Sequence, residues 1–154
     1  MSISIGDTCP DFSLKNQNGE MINIKDYIGS KHVIIYFYPK DNTPGCTKEA
    51  CSFRDAMQEL NTLDCAVFGI SADSVASHKK FADQFRLTFN LLSDEGNTVR
   101  KSFKVPANLF GLIPGRVTYI VNKEGKIVHI INNQMNPDKH IEETIKTITS
   151  LAAN

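Results

Sequence analysis

Apolar and polar positions along the chain change period several times, and each change marks an element. His32-Val33-Ile34-Ile35-Tyr36-Phe37-Tyr38 is apolar on both alternating faces, as a central strand buried on two sides must be. Pro39 ends that run, because proline has no N–H to give to a ladder. Lys40 to Gly45 then reads as a loop. Ala50, Phe53, Met57 and Leu60 recur at helical spacing and predict a helix running to about Thr62. Cys65 to Ile70 is a second apolar strand, so the three elements form a βαβ unit with parallel strands.

On the N-terminal side, Phe12-Ser13-Leu14 and Met21-Ile22-Asn23-Ile24 flank Asn16-Gln17-Asn18-Gly19, a hairpin signal. On the C-terminal side, Asp73 or Ser74 caps a helix with His78, Phe81 and Phe85 on one face. Leu91-Leu92 is a short strand, and Val99 and Phe103 lie on a short helix. Val117–Val121 and Ile127–Ile131 are strands joined through Asn122-Lys123-Glu124-Gly125. Asn136 caps a last helix with Pro137 at its first position and a stripe of Ile141, Ile145, Ile148 and Leu151. The expected class is α/β: a central mixed β-sheet flanked by helices, with an N-terminal β-hairpin, on the thioredoxin-like plan. No repeat, low-complexity tract or linker interrupts the chain, so residues 1–154 read as a single domain.

Composition narrows the function. The chain is 41% hydrophobic and 22% charged, with 17 basic residues balanced by 17 acidic ones. That balance supplies no field to attract nucleic acid or an anionic membrane. The longest apolar run, Val33 to Tyr38, is far short of the roughly 18 residues of a membrane helix. The first residues carry no basic segment followed by a long apolar one, so the default compartment is the cytoplasm; a processed organellar protein would read the same.

Four cysteines stand at positions 9, 46, 51 and 65, and no pair has the spacing of a zinc knuckle or a CxxC redox motif. Cys46 sits where the loop turns into the long helix. A thiolate there meets the positive end of the helix dipole and unpaired backbone N–H groups, and the thiolate is the nucleophilic form. Pro44 and Gly45 shape a turn in which backbone donors can approach a small ligand. By helical phase Cys46 faces the core side with Ala50 and Phe53, while Cys51 shares the polar side with Arg54, Asp55 and Gln58. Five residues of ideal helix rise about 7.5 Å, which separates the two Cα atoms by roughly 8–9 Å. A disulfide needs Cα atoms within ~7 Å. A Cys46–Cys51 bond therefore requires the first helical turn to unwind. The alternative for Cys46 is a buried structural thiol.

The segment Tyr36-Phe37-Tyr38-Pro39-Lys40-Asp41-Asn42-Thr43-Pro44-Gly45-Cys46-Thr47 contains Pro-x-x-x-Thr-x-x-Cys and resembles the active-site motif of peroxiredoxins. Its continuation, Lys48-Glu49-Ala50-Cys51-Ser52-Phe53-Arg54-Asp55, is similar to the peroxiredoxin Q, or bacterioferritin comigratory protein, subfamily. The likeness extends to Gly6-Asp7, Pro10 to Leu14, Gly69-Ile70-Ser71, Gly115 to Tyr119, Asn132-Asn133-Gln134 and Lys139-His140-Ile141. It implies a thiol-dependent peroxidase for hydrogen peroxide and organic hydroperoxides, serving antioxidant defence. Cys46 would become a sulfenic acid. Thr43, with the Gly45 and Cys46 N–H groups, would hold the peroxide, and Arg116 would stabilise thiolate and leaving oxygen. Pro39 would shield the site, and Cys51 would resolve the sulfenic acid as a disulfide for a thioredoxin-type dithiol to reduce. No metal or organic cofactor is implied, and the expected state is a monomer or weak homodimer.

Other residues carry two readings each. Glu49 either orients Arg116 or is a solvated charge. Phe53 and Phe110 either line the site or fill the core, with core favoured for Phe53. Leu109 to Pro114 is apolar enough for a lid, a dimer contact or a buried loop. Cys9 and Cys65 read as small buried apolar groups, and His32, His78, His129 and His140 as packing or surface residues. Three competing functions remain at this point: a disulfide oxidoreductase on the same fold, a redox sensor or holdase, and a metal-binding module.

Overall fold

The computed structural model describes residues 3–106, 115–134 and 136–152. The sequence Leu109 to Pro114, including Phe110, lies outside the described residues. Among the described residues, seven strands and four helices follow one another: β1 Ser13–Lys15, β2 Met21–Asn23, β3 His32–Phe37, α1 Pro44–Thr62, β4 Cys65–Ser71, α2 Val75–Phe85, β5 Asn90–Ser93, α3 Thr98–Ser102, β6 Val117–Val121, β7 Ile127–Asn132 and α4 Pro137–Ala152. A 3₁₀ turn, Ile24–Asp26, follows β2.

The strands make one sheet in the order β2-β1-β5-β4-β3-β6-β7. β3 pairs parallel with β4, and β4 with β5, while β6, β7 and the β1–β2 hairpin run antiparallel to their neighbours. The mixed sheet, the hairpin and the βαβ unit are as the apolar pattern predicts.

β3 is central, and its two faces feed two cores. Ile34 and Tyr36 point to a core shared with Phe53 and Leu60 of α1, Phe81 of α2 and Ile148 of α4. Val33, Ile35 and Phe37 point to a second core with Phe12, Val99, Phe103, Tyr119 and Ile127. Tyr36 stacks on Phe53 with ring centroids 4.7 Å apart, so Phe53 is a core residue. Full burial of such a ring stabilises the fold by about 2–3 kcal/mol and fixes α1 against the sheet. Cys9 and Cys65 are buried, and burial pushes both thiols up to about 12, aided by Asp11 and Asp64 respectively. Of the two capping candidates for α2, Ser74 caps, its hydroxyl accepting from the Ser77 N–H at 3.1 Å.

Candidate active site

The site lies at the C-terminal end of β3, where chain direction puts the start of α1. Thr43 is extended and precedes Pro44, whose fixed φ suits the first helical position. The first helical bond runs from the Thr47 N–H to the Thr43 carbonyl at 2.8 Å. The N–H groups of Gly45 and Cys46 precede it and have no carbonyl one turn back in the helix. Cys46 is 1% exposed, and all four cysteines are free thiols.

Arg116 reaches this thiol from the strand next to β3, from the residue just before β6. Its Nη2 donates to Cys46 Sγ at 3.3 Å, and its Nη1 donates to Glu49 Oε1 at 2.7 Å. Gly45 leaves room for this: a Cβ there would stand 3.0 Å from Arg116 Nη2. Gln134 fixes the arginine from behind, its side-chain oxygen accepting from the Arg116 N–H at 2.9 Å and its carbonyl from Nε at 3.3 Å. Burial opposes the guanidinium charge, but Glu49 and Cys46 outweigh it and raise the pKa. The charge is therefore permanent and aimed.

Glu49 is fully buried, which decides between the two readings of this residue in favour of the one that orients Arg116. Burial pushes its carboxyl up to about 7, against the pull of Arg116. Its Oε2 lies 3.5 Å from His140 Nδ1, and that nitrogen is 2.7 Å from the Thr118 hydroxyl. His140 Nε2 is 2.8 Å from the Asn133 carbonyl, so Nε2 carries the hydrogen and Nδ1 accepts from Thr118. Outside this layer, Lys48 and Asp138 pair at 3.0 Å between exposed side chains of α1 and α4.

The loop before the helix is anchored separately. Asp41 is buried and accepts from the Tyr38 hydroxyl at 2.5 Å and the Ser77 hydroxyl at 2.9 Å. His78 Nδ1 lies 2.7 Å from the same carboxylate, and its Nε2 2.9 Å from the Leu92 carbonyl. The Asp41 N–H donates to Asp73 at 2.8 Å. Asp41, Asp73 and His78 bring ligand atoms within 4.8 Å of one another, yet hydrogen bonds of this network engage each of them.

Of the residues expected at the site, the structure brings Gly45, Cys46, Glu49 and Arg116 into contact. Thr43 and Pro39 are half-buried in the segment between β3 and α1, and the Thr43 hydroxyl donates to the Lys40 carbonyl at 3.0 Å. Cys51 is half-buried one and a half turns along α1 from Cys46, and the helix between them is continuous. The His140–Thr118 pair and the Asp41–His78 pair were not foreseen. Their only sequence signal is a histidine at an apolar phase of a helix.

Comparison with known proteins agrees with this geometry. A family model described as AhpC/TSA matches residues 5–130. The chain is 51% identical to the chloroplastic peroxiredoxin Q of Triticum aestivum, over 97% of this chain and 68% of the other. It is 50% identical to that of Populus jackii, over 97% and 70%. Among solved structures, the peroxidoxin BcpB of Mycobacterium tuberculosis superposes with a TM-score of 0.88 at 34% identity, covering 96% of this chain and 97% of that one. A cysteine-to-serine variant of Xylella fastidiosa PrxQ gives 0.90 at 29% identity, covering 99% of each. Among the described residues, no helix is long and apolar enough to cross a membrane. A reactive-thiol geometry and near-full-length likeness lead to one conclusion: the chain belongs to the AhpC/TSA family and is a thiol-dependent peroxidase.

Proposed function

We propose that Cys46 is the thiol that attacks the peroxide and Cys51 the thiol that resolves the product. The observation that carries this is the Arg116 guanidinium 3.3 Å from a cysteine at the N-terminus of a long helix. The Cys46 thiolate attacks the near oxygen of a hydroperoxide. An S–O bond forms and the O–O bond breaks, leaving Cys46 as a sulfenic acid and the far oxygen as an oxyanion that takes a proton to become water or an alcohol. Arg116 and the Gly45 and Cys46 N–H groups stand where that negative charge develops. The Thr43 hydroxyl spends its hydrogen on the Lys40 carbonyl, which leaves its oxygen to accept from the peroxide O–H. Pro39 closes the site to bulk water.

Cys51 thiolate then attacks the Cys46 sulfur. The S–S bond forms, and hydroxide leaves and is protonated to water. This step unwinds the start of α1. A thioredoxin-type dithiol reduces the disulfide by exchange and returns both thiols. The relatives are named as chloroplastic, and the exchange requires only a dithiol of this type.

The test mixes reduced protein with hydrogen peroxide under rapid flow and follows sulfenate and disulfide in wild type, Cys46→Ser and Cys51→Ser. Fast oxidation in wild type, none in Cys46→Ser and a trapped sulfenic acid in Cys51→Ser are expected. Wild-type speed in Cys46→Ser overturns the assignment.

A further inference from the structure

A second arginine packs beside the site and has no part in the reaction above. Arg100 belongs to α3, where the Asp94 carboxylate accepts from the Val99 N–H at 3.2 Å and the Arg100 N–H at 3.0 Å. Its Nη1 donates to the Gly115 carbonyl and its Nη2 to the Tyr38 carbonyl, both at 2.9 Å. Its guanidinium carbon is 5.5 Å from the centre of the Phe37 ring. The two carbonyls belong to the residues immediately before Arg116 and Pro39.

The register of the sheet explains why a side chain is needed there. The last paired residues of β3 and β6 are Phe37 and Val117. Carried on, that register sets Tyr38 opposite Arg116 and Pro39 opposite Gly115. Pro39 has no N–H, so the backbone ladder cannot continue at that level. Arg100 supplies a donor to the Gly115 carbonyl in its place, and the second arm of its rigid planar fork takes the Tyr38 carbonyl as well. Gly115 is also confined from behind, since a Cβ there would stand 1.8 Å from the Pro106 carbonyl oxygen. The peptide that carries Arg116 is thus held between Pro106 and Arg100.

We propose that Arg100 is a positioning residue for the peroxidase reaction: by tying the Tyr38 and Gly115 carbonyls to one guanidinium, it sets where Arg116 and Pro39 stand relative to Cys46. The inference rests on the assignment of Cys46 and Arg116 made above. A lysine cannot replace it, because one ammonium on a flexible stem keeps the charge and loses the fork. This matters because Cys46 lies within electrostatic range of Arg100, so charge and geometry must be separated.

Arg100→Lys and Arg100→Met are compared with wild type for the rate of oxidation by hydrogen peroxide and its pH profile, with circular dichroism to confirm folding. Arg100→Gln takes the place of either variant that does not fold. Misplacement of a catalytic group by about 1 Å costs on the order of a hundredfold in rate. A loss of about ten- to a hundredfold in Arg100→Lys is expected, with the pH profile displaced upward and the fold unchanged. Arg100→Met should lose at least as much. Wild-type rate and profile in either folded variant overturn the proposal, as does full recovery by Arg100→Lys when Arg100→Met is slow, since charge alone would then suffice. Cys46→Ser in the same assay separates the two levels. If it is inert while the Arg100 variants match wild type, only this inference fails; if it reacts like wild type, the site assignment fails as well.

Discussion

Glu49 Oε2 and His140 Nδ1 face each other at 3.5 Å in the fully buried seam between α1 and α4. Neither atom has a hydrogen to offer when Glu49 is ionised, because His140 carries its hydrogen on Nε2. Glu49 Oε2 has no hydrogen-bond partner among the described residues. Burial moves the two groups in opposite senses: Glu49 rises from 4.5 to about 7, and His140 falls from 6.5 to about 4.

These shifts predict two opposing pH slopes of stability. Glu49, with a raised folded pKa, stabilises the fold below its unfolded value and loses that contribution as pH rises from 4.5 through 7. His140, with a depressed one, contributes above 6.5 and loses that contribution as pH falls through about 4. Each share is on the order of 3 kcal/mol, and over the common window they offset each other. Glu49→Gln should therefore gain stability with rising pH more steeply than wild type, and His140→Gln should lose it. Urea unfolding of the reduced proteins between pH 4 and 7.5 reads both; parallel curves for all three would rule this out.

Arg116→Lys should lose about a hundredfold in the rate of Cys46 oxidation, the usual loss when one donor to a developing oxyanion is removed. A single ammonium can serve Glu49 or Cys46, whereas the guanidinium serves both at 2.7 and 3.3 Å. Stopped-flow oxidation with excess peroxide measures it, and an unchanged rate would show that permanent charge without the fork is enough.

Disulfide formation should open the start of α1 while the sheet stays closed. Hydrogen exchange on the oxidised protein should show lost protection at residues 46–51 and retained protection in β3 and β4. A disulfide formed with undiminished protection there would contradict the helix geometry.

Cys9 and Cys65 should be bystanders. With both thiols pushed up to about 12 by burial, almost none of either is thiolate at neutral pH. Cys9→Ala and Cys65→Ala should oxidise within about twofold of wild type. Native alkylation followed by peptide mapping should label Cys46 and Cys51 first.

Much of this was legible in the sequence, for reasons that also mark where legibility stops. Periodicity found β3 and α1 because burial on two faces and on one face leave different repeats, and Pro39 and Pro44 punctuate them. Cys46 was visible through its loop and motif. Glu49 stands three residues after Cys46, on the same side of the helix, and that phase argues for burial; its charge argues for solvent. Its burial in the fold and its bond to Arg116, 67 residues away, decide between them. Asp41 and His78 are 37 residues apart and Thr118 and His140 are 22 apart. Helical phase puts His78 on the face of Phe81 and Phe85 but does not say which group it meets there, and it leaves His140 beside the apolar stripe of its helix, open to packing or surface.

Asp41 has a consequence for the order in which parts of the molecule can move. Its carboxylate is nailed to Tyr38 at the end of β3 and to Ser77 and His78 on α2, and its N–H to Asp73 in the turn between β4 and α2. The unwinding proposed to begin at Cys46 would meet a firm stop on that side and run toward Cys51. On the proposed mechanism, the turn that would receive the peroxide keeps its shape, like the fixed jaw of a vice, and the helix closes back onto a seat that was never dismantled.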